Sequence, residues 1–171
     1  MDDLIKRAEV AKKNYIFQDL DPEELETVAR IMVPTVFPAQ QTIMKEGDFG
    51  QSMYLMASGS VQVYKALTMK FGEDDFRETE KTLNVLKAEQ GVVFGEMAMV
   101  TESERSATIT TLTECQLYKI SRDDYLTLCH QMPTLGFKST RRIAELVSER
   151  LKKSSEDIIR LTTALSIALS P

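Results

Sequence analysis

Residue types that bind metals or cross-link chains are scarce in this sequence. Its 171 residues include one histidine, His130, two cysteines, Cys115 and Cys129, and no tryptophan. Zinc, haem and iron–sulfur centres need histidine, cysteine or carboxylate ligands that converge on one point. We therefore predict neither a metal site nor a cofactor, and we interpret His130 as a solvated residue of a helix.

The sequence also lacks long apolar runs and a surplus of positive charge. No segment approaches the roughly 20 apolar residues of a membrane-spanning helix, and the N-terminus is too charged for a signal peptide. A formal net charge of −5 argues against a surface dedicated to nucleic acid. Two cysteines without a disulfide pattern favour a cytoplasmic location.

Catalytic patterns are missing as well. No nucleophile with a base and an orienting partner stands out, and neither does a pair of acid and base carboxylates. We therefore predict that the protein is not an enzyme.

Helical signals occupy the N-terminal part of the chain. Residues 1–16 form an amphipathic pattern whose apolar face consists of Leu4, Ile5, Ala8 and Ala11. Asp21 and Pro22 then supply an N-cap and a first helical residue, and Glu24 completes a capping box. This second helix should bury its apolar residues Leu25, Val28, Ala29 and Met32.

Short strands separated by turns follow from about residue 36 to residue 120. Residues 53–56 and 61–65 flank a Ser-Gly-Ser turn and predict a hairpin. Residues 64–70 and 81–87 predict a longer hairpin with a mostly acidic tip over 71–78, which is either a solvated loop or a docking site. Many short strands at even spacing predict a closed roll or a double sheet.

The chain from Thr134 onward has a helical repeat. Apolar residues recur every three or four positions, with Ser154 on the same seam: Ile143, Val147, Leu151, Ile158, Leu161, Leu165 and Ala168. Such a seam over more than three heptads indicates a partner helix. Because one small roll cannot cover a seam this long, we predict a homodimer formed through this helix.

The most informative motif is Phe94-Gly95-Glu96-Met97-Ala98, followed by Arg105-Ser106 before an alternating run over 107–112. Backbone N–H groups at the start of a helical turn attract anions. Arginine offers a planar fork of donors to phosphate oxygens, and a carboxylate accepts hydrogen bonds from sugar hydroxyls. These groups together suit a ribose phosphate.

The motif resembles the phosphate-binding cassette of the cyclic-nucleotide-binding domain family. Further segments resemble strand and turn signatures of the family's β-roll and the start of its long helix: residues 37–39, 43, 46–55, 58–61 and 117–125. The resemblance runs from about Phe17 to the C-terminus.

This resemblance implies a mainly β fold with flanking helices, namely the cyclic-nucleotide-binding β-roll (a double-stranded β-helix or jelly roll). Residues 1–33 would form N-terminal helices and residues 34–122 the roll. Residues 123–171 would form C-terminal helices that include the dimerisation helix.

The resemblance also assigns the phosphate contacts. Arg105 would pair with the cyclic phosphate, and Ser106 would add a hydroxyl or backbone N–H. The N–H groups of Met97 and Ala98 would face the same phosphate. 

Gly95 and Glu96 would contact the sugar. Gly95 has no Cβ and lets the backbone approach closely, and Glu96 would accept the ribose 2′-hydroxyl. The alternative is a surface Glu–Arg pair beside a structural glycine.

A narrower resemblance concerns residues 150–156, which look like the dimer helix of catabolite activator proteins, where two adjacent hydroxyl residues meet adenine. Ser154 lies on the seam, and Ser155 could reach across to the other subunit's nucleotide. The alternative is that both serines only fill the helix.

The chain departs from these relatives in three places. Gln40-Gln41 stands where many family members carry glycine, and the hairpin that ends near Lys81 is longer than usual. Catabolite activator proteins continue into a helix-turn-helix domain, whereas this sequence ends at Pro171. It is either a free-standing sensor or a fragment of a longer regulator.

We therefore expect a bacterial, cytoplasmic module that binds cyclic AMP or, in second place, cyclic GMP. It would dimerise through its C-terminal helix and signal to an unidentified protein partner by rearranging that helix, without binding nucleic acid or membrane itself. The alternatives are a scaffold that has lost ligand binding and the sensor half of a DNA-binding regulator.

Overall fold

A computed structural model describes residues 2–70 and 76–169, with side chains for all of these except residues 2 and 66–81. The helices are α1 (Asp2–Lys13), α2 (Pro22–Ile31), α3 (Arg122–Gln131) and α4 (Pro133–Leu169). The strands are β1 (Val33–Phe37), β2 (Thr42–Met44), β3 (Ser52–Ser58), β4 (Ser60–Lys70), β5 (Phe76–Lys87), β6 (Val93–Phe94), β7 (Thr108–Thr111) and β8 (Cys115–Ser121). Short 3-10 turns cover Tyr15–Phe17, Ala88–Gln90 and Glu96–Met99.

The strands form two antiparallel four-stranded sheets. Their orders are β1-β8-β3-β6 and β2-β7-β4-β5. The predicted β-roll with helices at both ends is confirmed. The long hairpin is also confirmed, because β4 and β5 pair as far as Lys70 and Phe76, while residues 71–75 of the predicted acidic tip lie outside the described residues.

The other predicted hairpin, from residues 53–56 and 61–65, is wrong. β3 pairs with β6 and β8, whereas β4 pairs with β5 and β7, so the Ser-Gly-Ser segment is a corner between the two sheets. Gly59 has φ +92°, and a Cβ there would lie 2.6 Å from the Sγ of Cys115. A corner and a hairpin turn both call for such a glycine, so composition did not separate them.

The N-terminal helices largely follow the sequence pattern. The capping box of α2 is present, with Asp21 and Glu24 each accepting a hydrogen bond from the other's backbone N–H at 2.9 Å. The predicted apolar face of α2 is buried: Leu25, Val28, Ala29 and Met32. In α1, Ile5 of the predicted apolar face is 54% exposed, whereas Ala11 of the same face is buried. The helix ends at Lys13, where Asn14 caps the next turn by accepting from the N–H of Ile16.

The first part of α4 is fixed to the N-terminal segment by side-chain ion pairs. The amine of Lys138 lies 2.7 Å from the buried carboxylate of Glu24. Arg142 donates two hydrogen bonds of 2.7 Å to Asp19, and this bonding lowers the pKa of the Asp19 carboxyl. These contacts make one unit of the N-terminal segment and the start of α4.

The rest of α4 is not buried against the roll, although Arg150 still contacts it. Every residue from Ser148 to Leu169 is exposed in the single chain, including the apolar residues Leu151, Ile158, Leu161 and Leu165 of the predicted seam. The predicted long helix is confirmed. Among the described residues, no helix combines the length and the apolar character needed to cross a membrane.

Candidate functional site

A cavity of about 310 Å³ lies between the β4–β5 hairpin and the segment that follows β6. Its size is at the lower end of the range usual for small-molecule sites. Six of the eight predicted site residues line it: Gly95, Glu96, Met97, Ala98, Arg105 and Ser106. The structure therefore brings the two halves of the sequence motif to one place.

The backbone of Arg105 is fixed on both sides by the loop before β3. Its N–H donates to the carbonyl of Asp48 at 2.8 Å, and its carbonyl accepts from the N–H of Gly47 at 3.0 Å. Its Nη1 lies 3.5 Å from the carbonyl oxygen of Gly95. These contacts hold the half-buried side chain at the cavity wall.

Two glycines make room for this guanidinium. A Cβ on Gly95 would lie 2.7 Å from Nη1 of Arg105, and a Cβ on Gly50 would overlap with the guanidinium itself. The role of Gly50 was not predicted, because a glycine 55 residues away in sequence does not indicate what packs above it.

The charge of Arg105 is available to a ligand. Burial lowers the pKa of its guanidinium, while nearby Glu96 and Tyr54 oppose that effect. Arginine nevertheless keeps its proton in proteins. Among the described residues, no carboxylate lies within ion-pair distance of Arg105. A half-buried cation without an ion-pair partner favours an incoming anion.

Glu96 is the buried carboxylate of the site, with 1% of its surface exposed. It follows Gly95, whose φ of +76° turns the chain into the 3-10 segment Glu96–Met99. Arg150 of α4 donates a hydrogen bond to its Oε1, which supplies the partner that a buried charge needs. This role of Arg150 was not predicted, because the contact joins residues 54 positions apart in sequence.

Of the remaining predicted site residues, Ala98 and Ser106 lie at the cavity, whereas Ser154 and Ser155 do not. The N–H of Ala98 donates to the carbonyl of Gly95 at 3.2 Å, and Ser106 is exposed at the cavity rim. Ser154 and Ser155 are exposed and lie outside the cavity lining, and the hydroxyl of Ser155 donates to the carbonyl of Leu151 at 3.0 Å. In the single chain the two serines are therefore separate from the other six residues.

Three packed aromatic side chains, Phe37, Tyr54 and Phe94, lie next to the start of the cassette. Tyr54 stacks on Phe94 with ring centroids 5.6 Å apart, and the rings of Phe37 and Tyr54 form a T-shaped pair with centroids 6.3 Å apart. Burial raises the pKa of Tyr54 against the opposing charge of Arg105. Because Phe94 directly precedes Gly95, this packing positions the start of the cassette.

The described residues contain no group of three or more histidine, cysteine, aspartate or glutamate side chains placed to hold a metal ion. His130 lies exposed on α3, which agrees with the prediction of a solvated helix residue. Cys115 and Cys129 are free thiols whose pKa values are raised by burial.

Comparison with known proteins places this geometry in a family. The model of the cyclic nucleotide-binding domain matches residues 34–132. The cyclic AMP receptor protein of Thermus thermophilus is 31% identical over 147 residues, which cover 86% of this chain and 62% of that protein. The chain thus spans about three-fifths of the length of this curated relative.

Solved structures agree. The catabolite activator protein of Thermus thermophilus matches with a TM-score of 0.72 at 30% identity, covering 87% of this chain and 63% of that one. The regulatory domain of Toxoplasma gondii PKA, in a co-crystal with cAMP, matches with a TM-score of 0.60 at 25% identity, covering 73% and 44%. With the roll and the family model in agreement, this chain belongs to the cyclic nucleotide-binding domain family.

Proposed function

We propose that this chain is a regulatory module that binds cyclic AMP in the cavity and responds by changing the position of α4. The observation that carries this proposal is the half-buried guanidinium of Arg105 at the cavity wall, a few ångströms from the backbone of the cassette. A cyclic phosphate would supply the anion that this cation lacks, through a planar pair of charged hydrogen bonds.

The sugar would lie beside Glu96. A ribose 2′-hydroxyl can donate to the carboxylate, and the missing side chain of Gly95 allows the sugar close to the backbone. Ser106 at the rim would add a contact to the phosphate, as would the N–H of Met97. The cavity of about 310 Å³ suits one small nucleotide rather than a polymer.

Arg150 supplies a route from ligand to helix. It already binds Glu96 from α4, so a ribose that shares this carboxylate acts directly on a helix contact. A ligand shifts a conformational equilibrium only through differential interactions with the two states, and this shared carboxylate is a place for such a difference.

The exposed seam of α4 supports dimerisation as part of the same function. A second copy of α4 would cover the apolar residues beyond Ser148. Ser154 and Ser155 lie one turn beyond Arg150, and in a dimer they would contact the base, Ser155 in the other subunit's site.

Cyclic AMP is preferred over cyclic GMP in this proposal because the Thermus relative is named for cyclic AMP and the Toxoplasma domain was crystallised with it. The role is regulatory rather than catalytic, and the two free thiols favour the reducing cytoplasm. Because the Thermus relative is longer than this chain, the module could also serve as the sensor part of a DNA-binding regulator.

The test is a calorimetric titration of the protein with cyclic AMP and cyclic GMP, repeated with Arg105→Ala. Removal of charged hydrogen bonds should weaken binding at least about tenfold. Arg30→Ala is the control, since Arg30 is an exposed arginine of α2 paired with Glu26. Absence of binding by the unmodified protein would favour the ligand-free scaffold, and unchanged affinity of Arg105→Ala would remove Arg105 from the site.

A further inference from the structure

The cavity wall opposite the cassette contains an irregularity in β5. Val63 of β4 pairs with Asn84, and the next residue, Tyr64, pairs with Thr82, so Leu83 has no residue opposite it. This is a β-bulge, in which two consecutive residues face one on the partner strand. In a regular strand neighbouring side chains point to opposite faces, but here Leu83 and Asn84 both line the cavity.

The bulge also fixes the orientation of the Asn84 amide. Its Oδ1 accepts a hydrogen bond of 2.9 Å from the backbone N–H of Val85. The acceptor end of the amide is therefore occupied, and the Nδ2 group is the end left for other contacts. Among the described residues, Nδ2 has no hydrogen-bond partner. Asn84 thus presents donors at the cavity.

The two walls of the cavity differ in chemistry. The cassette wall carries the charges that suit phosphate and ribose, Arg105 and Glu96. The hairpin wall offers apolar surface from Leu83 and Leu86 with the amide of Asn84 beside it. Lys65, the charged residue of this wall, lies 3.8 Å from Glu46. A flat ring with acceptor atoms on its edge fits the hairpin wall better than the charged one.

We infer that Asn84 is a base-recognition residue: its Nδ2 donates to a ring nitrogen of the purine while Leu83 packs against the ring. This inference rests on the proposed function, since it takes the phosphate to be at Arg105. It adds a contact from the same subunit to those proposed for Ser154 and Ser155. The adenine ring nitrogens N1, N3 and N7 are the acceptors available to such a donor.

Two variants of Asn84 separate its proposed hydrogen bond to the base from its role in the β-bulge. Asn84→Asp keeps an oxygen that can accept from the N–H of Val85, so the bulge is retained, but it has no hydrogen to donate. The negative charge that it adds weakens binding of all four anionic ligands alike and cancels in the ratio of the affinities for cyclic AMP and its analogues. Asn84→Ala removes both functions. The matched control is Thr82→Ala on the same strand, whose hydroxyl accepts from Gln62 at 2.6 Å and which lies outside the cavity lining.

The experiment measures calorimetric affinities of these proteins for cyclic AMP and for its 1-deaza, 3-deaza and 7-deaza analogues, each of which replaces one ring acceptor by C–H. Loss of one hydrogen bond should weaken binding of cyclic AMP to both Asn84 variants about three- to tenfold, with Thr82→Ala unchanged. One analogue should bind the unmodified protein equally weakly and show no further loss of affinity with Asn84→Ala.

Other results overturn the inference in distinguishable ways. If both variants bind cyclic AMP normally, or weaken all four ligands by the same factor, Asn84 does not recognise the base, while the proposed function stands. If the unmodified protein binds none of the ligands, the proposed function fails and this inference fails with it.

Discussion

At the scale of single residues, Glu96 carries two tasks that place opposite demands on a carboxylate. It is buried, which costs free energy unless partners compensate, and it must remain charged to bind Arg150 and, as proposed, a sugar hydroxyl. The Arg150 contact meets the first demand without closing the cavity. Glu96 therefore stabilises the contact with α4 and, in the proposed function, also binds the ligand.

Glu96→Gln tests the sugar contact. The amide keeps the shape but accepts a weaker hydrogen bond than an ionised carboxylate, so the preference for cyclic AMP over its 2′-deoxy analogue should fall roughly five- to tenfold. Competition binding of the two nucleotides measures this ratio. Glu104→Gln, an exposed carboxylate at the same cavity, should leave the ratio unchanged. An unmodified protein without any preference would show that Glu96 does not bind the 2′-hydroxyl.

The backbone conformation of Gln40 lowers the stability of the folded chain by a measurable amount. Its φ of +62° lies in the left-handed region, where a side chain is disfavoured by roughly 1–2 kcal/mol. Glycine relieves this strain but loses about 0.5–1 kcal/mol to its freer unfolded chain. Gln40→Gly should therefore raise the free energy of unfolding by about 0.5–1 kcal/mol in urea denaturation, with nucleotide affinity unchanged. A loss of stability would mean that the Gln40 side chain contributes more than the strain costs.

At the scale of elements, the junction of α3 and α4 is held by a buried polar contact. The hydroxyl of Tyr125 in α3 lies 2.9 Å from that of Ser139 and 3.1 Å from that of Thr140, both in α4. Burial raises the pKa of Tyr125 to about 12, and the hydrogen bonds to the two hydroxyls partly oppose the rise. The folded chain therefore holds this phenol proton more tightly than the unfolded chain does.

The raised pKa of Tyr125 makes the folded chain less stable as the pH rises in alkaline solution. Above the ordinary tyrosine pKa of 10.0 the unfolded chain loses the Tyr125 proton, while the folded chain keeps it up to about 12. The unfolded state then binds fewer protons, so stability falls as pH rises, by at most roughly 1.4 kcal/mol per pH unit from this group. Urea denaturation between about pH 9 and about pH 11.5 should show this extra loss in the unmodified protein and not in Tyr125→Phe. Equal slopes would contradict the assignment.

The structural features that could be predicted from the sequence are mostly ones formed by residues close together in the chain. The capping box of α2 and the 94–98 cassette are recognisable because all their parts lie within a few residues. The sheet corner at Gly59, the bulge at Leu83 and the Arg150–Glu96 contact depend on segments distant in sequence. A glycine or an arginine is compatible with several such settings, so only the folded chain selects one.

At the scale of the whole molecule, the free half of α4 should determine the oligomeric state. Leu161 is 67% exposed in the single chain, and glutamate there would place a charge within an apolar seam and opposite its symmetry mate. Light scattering should give a dimer at micromolar concentration for the unmodified protein and a monomer for Leu161→Glu. Thr163→Glu is the control, since position 163 is turned about 200° from 161 on the helix. An unmodified monomer would refute dimerisation through α4.

The length of α4 has a mechanical consequence. Its first turns are anchored at Lys138 and Arg142, and the exposed 22 residues from Ser148 to Leu169 extend about 33 Å at 1.5 Å per residue. Arg150 sits near the start of this arm, beside the cavity. A tilt of about 10° about Ser148, where this arm begins, would displace the far tip by roughly 6 Å and Arg150 by roughly 0.5 Å. A small tilt of the helix near the cavity would therefore become a larger displacement at its C-terminal end. A partner protein bound to that end would undergo the larger displacement.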